Sequence, residues 1–470
     1  MSEPEISRTT RFVAMAFPKE ERPLAALLAP DILALLDESP GDVAAETEEL
    51  HPANLADVAE ALPRDRLVQL MRALPADRAA DVLEYLDEEL RAELLEALST
   101  RQAAELMARM TPDDRADALE DLEEERADEI LAEISSEARG ETERLLAYEP
   151  DTAGGLMTTE FISVSEEMSV DAALESVRAS ARAGRKEAMY AIYAVDASGK
   201  LRGVFSLREL LAAPPGTRVA DIAWEDIVSV PVSADREEVA RLTSKYDLVA
   251  VPVVDQQGRL LGVVTVDDVI DAIVEEQTEE VQRLGAVEPL EAPYFQTGFW
   301  SITRKRGGWL VLLFFAELLT ATAMAQYEAT LASALALVFF VPLIISSGGN
   351  SGSQSATLIT RALAVGDVEL RDAVRVITRE GLQGVALGAF LGLFGFVRVM
   401  IGGEPTSMAI VVGLTLLAVV LTGTLVGAAL PLVFTRFGFD PAIASSPFVA
   451  SFVDVAGIVI YFSVATWLLV

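Results

Sequence analysis

Cysteine is absent from the 470 residues, and histidine occurs once, as His51. Disulfides, thiolate metal sites and cysteine nucleophiles are thereby excluded, and a histidine-based zinc site lacks ligands. Basic residues are scarce: 37 Lys and Arg stand against 73 Asp and Glu, a net charge of −36. Nucleic-acid binding needs clustered Lys and Arg, so that class is excluded as well. A bound metal would find only oxygen ligands, which favours magnesium, calcium or manganese. The N-terminus is polar, and Phe12–Phe17 is too short for a signal core, which places the soluble part in the cytoplasm. No Gly-rich phosphate loop, nucleophile–base arrangement or ATPase motif occurs, so an enzyme is not expected.

What is present divides unevenly. Residues 301–470 carry nine basic and nine acidic residues, which leaves 28 basic and 64 acidic residues in 1–300. The neutral part holds five long apolar segments. One chain therefore joins a membrane-spanning unit to a strongly acidic soluble unit, with length for roughly three domains.

From Leu50 a 12-residue repeat runs through Leu62, Leu74, Leu86, Leu98, Met110, Leu122 and Ile134. A second lane follows at Val58, Leu70, Val82, Leu94, Leu106 and Ile130, slipping to Ala118. Twelve residues make one short helix and its turn, and stacked short helices form a solenoid. Thr111-Pro112 reads as an N-cap followed by proline at the first helical position. Residues 156–274 change character. The segment Val195–Ser206 matches Val254–Thr265 at a spacing of 59, each with an Asp-x-x-Gly hairpin turn between apolar strands and a helix after it. This duplicated α+β module resembles a tandem pair of CBS domains, regulatory modules that bind nucleotides or ions. Residues 267–288 read as an acidic helix joining it to the membrane part.

The spans are expected at about Trp309–Thr330, Leu331–Ser347 with a continuation to Leu363, Ala373–Met400, Ser407–Phe434 and Ala442–Val470. Arg304, Lys305 and Arg306 precede the first; Arg361, Arg371, Arg375 and Arg379 lie between the second and third; Arg436 lies between the fourth and fifth. That asymmetry puts the N-terminus inside and the C-terminus outside.

Asp454 lies midway through the last span, where a carboxylate costs several kcal/mol unless water, a partner or a cation solvates it. No span centre offers a basic partner, which points to a cation in an aqueous pathway. The run Ser346–Thr357, with Gly348, Gly349, Asn350, Ser353 and Gln354, interrupts an apolar span. It is expected to unwind and offer oxygens to a pathway; as an alternative it is an ordinary loop near the inner boundary. Glu317 either lines a cavity or pairs with Arg304 or Lys305, and Asp440 reads as a helix N-cap.

Gly348-Gly349-Asn350 with Gln354–Thr357, and Asp440-Pro441-Ala442 followed by Asp454, resemble the MgtE family of magnesium channels and transporters across nearly the whole chain. The resemblance implies a multi-domain protein. Its layout would be a flexible N-terminus over 1–24, an all-α helical solenoid over 25–148, CBS units over 149–212 and 213–273, a connecting helix over 274–303 and a five-helix transmembrane pore domain over 304–470. It further implies a homodimer in the cytoplasmic membrane, with the pore on the dimer axis lined by the second and fifth spans and Asp454 as the selectivity carboxylate. Family members often carry an amide where this chain has Ser353, and another near Ser446.

The resemblance also implies regulatory magnesium bound among Asp81, Asp113, Asp117, Asp235, Glu237, Asp247, Asp268, Asp271, Glu276, Glu279 and Glu280. Asp113 and Asp117 share a helix face by their spacing, as do Asp268 and Asp271. Repelling acidic surfaces would close on divalent cations at high magnesium, holding the pore shut, and splay at low magnesium. Thr265 with Asp268 fits the CBS nucleotide pattern, so ATP is a candidate modulator; the first unit has Ser206 and Glu209 instead. The competing readings are a non-conducting, membrane-anchored sensor of magnesium or nucleotide, and a broader carrier that also passes cobalt or manganese.

Overall fold

The structure is a computed structural model and describes residues 22–182, 191–290, 294–295, 297–328 and 335–469. The expectations for residues 1–21 and for the start of the second span at 331–334 lie outside them. The chain divides into two units, residues 1–273 and 274–470.

In the first unit, α1 (Arg22–Glu38) and a short α2 (Val43–Glu46) lead into the repeat: α3 (Pro52–Glu60), α4 (Arg64–Ala73), α5 (Ala76–Glu84), α6 (Glu88–Ala97), α7 (Thr100–Met107), α8 (Pro112–Glu120), α9 (Glu124–Glu133) and α10 (Ser136–Leu145). Odd helices stack on odd and even on even, so the solenoid has two rows and its structural period is twice the sequence repeat. Both apolar lanes are buried from Val58 to Ile134. The lane residue that ends each helix turns the chain, and the other packs inside. Pro63, Pro75 and Asp87 take the N-cap positions in step with the repeat. Thr111 is the N-cap of α8, but its hydroxyl donates to Asp114 Oδ2 at 2.7 Å rather than accepting from the backbone.

The duplication appears as two three-stranded sheets of the same order. β1 (Ile162–Ser165) pairs parallel with β2 (Ile192–Val195), which pairs antiparallel with β3 (Leu201–Phe205). β4 (Val230–Pro231), β5 (Ala250–Val254) and β6 (Leu260–Thr265) repeat that pattern. The helices are α11 (Val170–Arg182), α12 (Leu207–Ala212), α13 (Arg236–Tyr246) and α14 (Val266–Leu284). Gly199 and Gly258 close the hairpins at φ near +80°, a left-handed conformation that glycine adopts without strain. The two hairpins join each other: Leu201 N–H donates to Gly258 O at 3.0 Å and Leu260 N–H to Gly199 O at 3.1 Å.

The second unit holds α15 (Phe299–Ala325), a 3-10 turn (Leu335–Phe340), α16 (Val341–Ala364), α17 (Ala373–Ile401), α18 (Thr406–Arg436), a 3-10 turn (Pro441–Ile443) and α19 (Ser446–Leu469). Five helices are long and apolar enough to cross a membrane. The first begins at Phe299, so Arg304, Lys305 and Arg306 lie within its opening turns rather than ahead of it. The acidic connecting helix α14 ends at Leu284.

The polar run Ser346–Thr357 does not unwind. It is an unbroken part of α16. Its glycines allow helices to touch: a Cβ on Gly427 of α18 would overlap the Gly352 carbonyl, and one on Gly423 would overlap that of Gly348. Its hydroxyls find acceptors without breaking the ladder. Ser347 donates back to Leu343 O at 2.7 Å, and Ser353 donates to Ser446 O at 3.2 Å. Ser355 Oγ lies 2.6 Å from the buried Glu380 Oε2 of α17 and 3.0 Å from Thr424 O of α18. Small side chains, read from sequence as helix breakers, serve here as close-packing surface.

Candidate regulatory carboxylates and the membrane carboxylate

The acidic face of the first unit forms where α8 meets the start of α14. Asp113 opens α8 and is only 6% exposed, and its Oδ1 has no hydrogen-bond partner. Burial pushes its carboxyl well above the usual range, and Asp114 adds to the shift. Asp268 is raised by burial and then by the charge of Asp113. Asp117 is pushed up to about 7 by loss of surrounding water, then by Asp113 and Asp114, although more than a third of the residue stays in contact with solvent. Asp271 is raised by burial and by Asp267. From the neighbouring repeat, Tyr85 on the end of α5 is raised by burial, then by Glu84, Asp267, Asp114 and Asp81. Asp81, Asp113, Asp117, Asp268 and Asp271 thus belong to one acidic neighbourhood. Arg91 is one countercharge there: it lowers Asp114 and Asp117 and lies 2.5 Å from Asp121, while Arg115 interacts with Asp113.

Asp114, Asp267 and Glu84 belong to the same neighbourhood and escaped the sequence reading. Adjacent acids were visible there, but nothing local tells which of two neighbours on a short helix turns inward. Among the described residues, no three carboxylates are placed closely enough to close around one ion. Asp235 caps α13, accepting from Glu237 N–H at 2.8 Å, and Asp247 ends that helix at φ 52°, so both have backbone roles. Thr265 donates to Asp268 Oδ2 at 2.5 Å within the second CBS unit.

Three further acids lie on the last turns of α14, within the second unit. Glu279 Oε2 is 2.5 Å from Arg283 Nη2, and Glu276 Oε1 is 4.0 Å from Arg283 Nη1. Glu280 Oε2 is 2.9 Å from Arg361 Nη1, while its Oε1 is buried without a hydrogen-bond partner. Asp440 caps the Pro441–Ile443 turn as expected, accepting from Ala442 N–H at 2.7 Å.

In the membrane helices, Asp454 is half-buried in α19 and makes no ion pair with an arginine or lysine among the described residues. Its carboxyl meets that of Glu317 in α15 within hydrogen-bonding reach. Lys305, offered with Arg304 as a pairing alternative for Glu317, donates its ammonium to Pro289 O. A Cβ on Gly349 would stand 3.7 Å from Asp454 Oδ1, so α16 packs in ordinary contact beside the carboxylate at this buried glycine. Ser346, Asn350, Gln354 and Thr357 form an exposed polar stripe down α16, spaced by three or four residues. Gly348, by contrast, is buried against Val419 and Val453 and serves packing.

Three family models match the chain: a divalent cation transporter over 341–464, the MgtE intracellular N domain over 50–151, and the CBS domain over 153–216 and 219–275. The magnesium transporter MgtE of Thermus thermophilus is 45% identical over 331 residues, covering 70% of this chain and 73% of that protein. The chain belongs to the MgtE family of magnesium transporters. A second MgtE, from Enterococcus faecalis, is 36% identical over 331 residues, covering 70% of this chain and 72% of its own. A crystal structure of the soluble part of a magnesium transporter is 33% identical with a TM-score of 0.50, covering 54% of this chain and 99% of that one. As an MgtE family member the chain is a membrane transporter and not an enzyme.

Proposed function

We propose that this protein conducts magnesium passively into the cytoplasm as a homodimer, with Asp454 as the permeation carboxylate. Asp454 carries the reading: among the described residues this carboxylate at membrane depth has no basic partner and faces another carboxyl, that of Glu317, an arrangement that water or a cation would relieve. The polar stripe Ser346, Asn350, Gln354 and Thr357 supports it, because such a face is costly against lipid and suits a wet axis shared with a second copy. Ser353 and Gly349 then shape the wall beside Asp454 rather than bind the ion. Magnesium gives up its water reluctantly, so Asp454 holds it through its hydration shell. The N-terminal unit lies in the cytoplasm and the C-terminus outside.

Closure follows from cytoplasmic magnesium neutralising the acids of the α8–α14 neighbourhood. Crowded carboxylates with raised proton affinity are groups that a divalent cation would relieve, and the unpartnered oxygens of Asp113 and Glu280 are open acceptors for one. Asp81, Asp117 and Asp271 are the further candidates in that neighbourhood, with Glu276 and Glu279 near Glu280, and the donors would have to draw together around an ion. Asp235, Glu237 and Asp247 are the outlying candidates around α13. ATP acts as a modulator through Thr265 and Asp268, and the Asp268 carboxylate then serves both the nucleotide pattern and the acidic neighbourhood. The test is magnesium flux into liposomes holding the full chain. Unmodified protein should conduct and close as magnesium rises on the side of the soluble unit; Asp454→Asn should not conduct. Undiminished flux through that variant would refute the permeation reading, and a protein binding magnesium without flux would be a sensor instead.

A further inference from the structure

Two arginines tie the last turns of α14 to the ends of the membrane helices. Arg283 Nη1 lies 3.0 Å from Asp440 Oδ2, while its Nη2 holds Glu279. Asp440 has its other oxygen on Ala442 N–H, which fixes the turn leading into α19. One carboxylate therefore grips both the guanidinium and the 3-10 turn that leads into the helix carrying Asp454. Arg361, in the last turn of α16, grips Glu280 at 2.9 Å. The chain leaves α14 through Ala286 in a left-handed conformation, φ 56°, which a non-glycine residue holds only under constraint. Lys305 of α15 donates to Pro289 O just beyond, so this exit is itself anchored.

Isolated surface pairs contribute little. Arg283 differs in facing three carboxylates with its side chain 35% exposed, and its planar fork fits two of them at once. Movement of α14 away from the membrane helices has to break this contact and the Arg361–Glu280 pair together.

We propose that Arg283 is a positioning residue for the permeation pathway. Through Asp440 it sets where α19 begins, with Arg361–Glu280 as a second strut, so that fixed guanidinium charges pass the state of α14 to the pore helix. The proposal rests on reading Asp454 as the permeation carboxylate. It also gives Glu276, Glu279 and Glu280 a task that a bound ion alone would not: they anchor arginines.

The test uses the full chain in liposomes, reading the magnesium concentration at half-closure relative to each variant's own open flux. Asp440→Asn keeps an acceptor for Ala442 N–H and loses only the charge. Asp440→Asn and Arg283→Gln are each expected to raise the half-closing concentration about three- to tenfold, the size of a modest coupling between sites. The double variant should shift no further than the larger single one, since both remove one contact. Arg361→Gln, which leaves Glu280 in place, should shift it too. Half-closure at the unmodified concentration in Arg283→Gln and Asp440→Asn overturns the proposal, as does an additive double variant. If Asp454→Asn has lost flux while Arg283→Gln is unshifted, the coupling alone fails; undiminished flux in Asp454→Asn sinks the permeation reading beneath it.

Discussion

Glu317 of α15 and Asp454 of α19 present their carboxyl groups to each other inside the membrane unit. The pair, with no guanidinium or ammonium against Asp454 among the described residues, holds one negative charge when it shares a proton and two when both groups ionise. A divalent ion about 6 Å from one carboxylate, at an effective dielectric near 20, gains roughly 5 kcal/mol. That exceeds what hydroxyl and amide dipoles along α16 contribute, so charge rather than dipoles dominates ion entry.

Asp454→Asn is accordingly expected to lower magnesium flux by at least about a hundredfold. Glu317→Gln, which keeps Asp454 in place, is expected to lower it by about tenfold or less. Flux of magnesium and of a monovalent cation, measured on the same liposomes, checks both. Equal loss in the two variants would make Glu317 an equal partner at the site.

Asp113→Asn removes a buried charge whose Oδ1 has no partner. It should stabilise the protein in divalent-free buffer by about 1–3 kcal/mol, since it relieves Asp268 as well. It should also shrink the rise in melting temperature that magnesium produces. A melting temperature that falls without magnesium would contradict the view of this face as repulsive.

The same carboxylates predict a pH dependence. Asp113, Asp114, Asp268 and Asp271 are raised above the ordinary Asp value, and Asp117 to about 7. Between about pH 4 and 7 the folded unit therefore binds more protons than the unfolded chain. Their contribution is fully present below the unfolded value and is lost as pH rises through the folded ones. Solvent contact tempers the share of Asp117. Melting of the full chain in EDTA should move to lower temperature from pH 5 to pH 8, and magnesium should flatten the trend.

Gly427→Ala places a methyl on the Gly352 carbonyl and forces α16 and α18 apart. A loss of about 2–4 kcal/mol is expected in the membrane unit. Gly308→Ala, where a Cβ meets nothing within 4 Å, serves as the control and should be neutral or slightly stabilising. Thermal unfolding in detergent compares them.

Much of this architecture is legible in the chain because it is written in local patterns. The 12-residue lanes, the duplicated hairpins and the apolar segments are periodicities, and burial of Val58, Leu70, Val82, Leu94 and Ile130 follows from them directly. The acidic neighbourhood was only half legible. Asp268 stands out by motif and Asp113 by the family resemblance and its spacing to Asp117, whereas Asp114 and Asp267 join them only through the approach of α8 to α14.

Hydropathy and repeat spacing alone separate a membrane unit from an acidic soluble one and single out Asp454, because both signals depend on neighbours along the chain. Packing between distant segments decided the rest: that Ser346–Thr357 stays helical, that Glu317 turns to Asp454, and that Arg283 finds Asp440. Polar and small residues are ambiguous locally, since the same glycine breaks a lone helix and lets two helices meet; only the partner surface settles which.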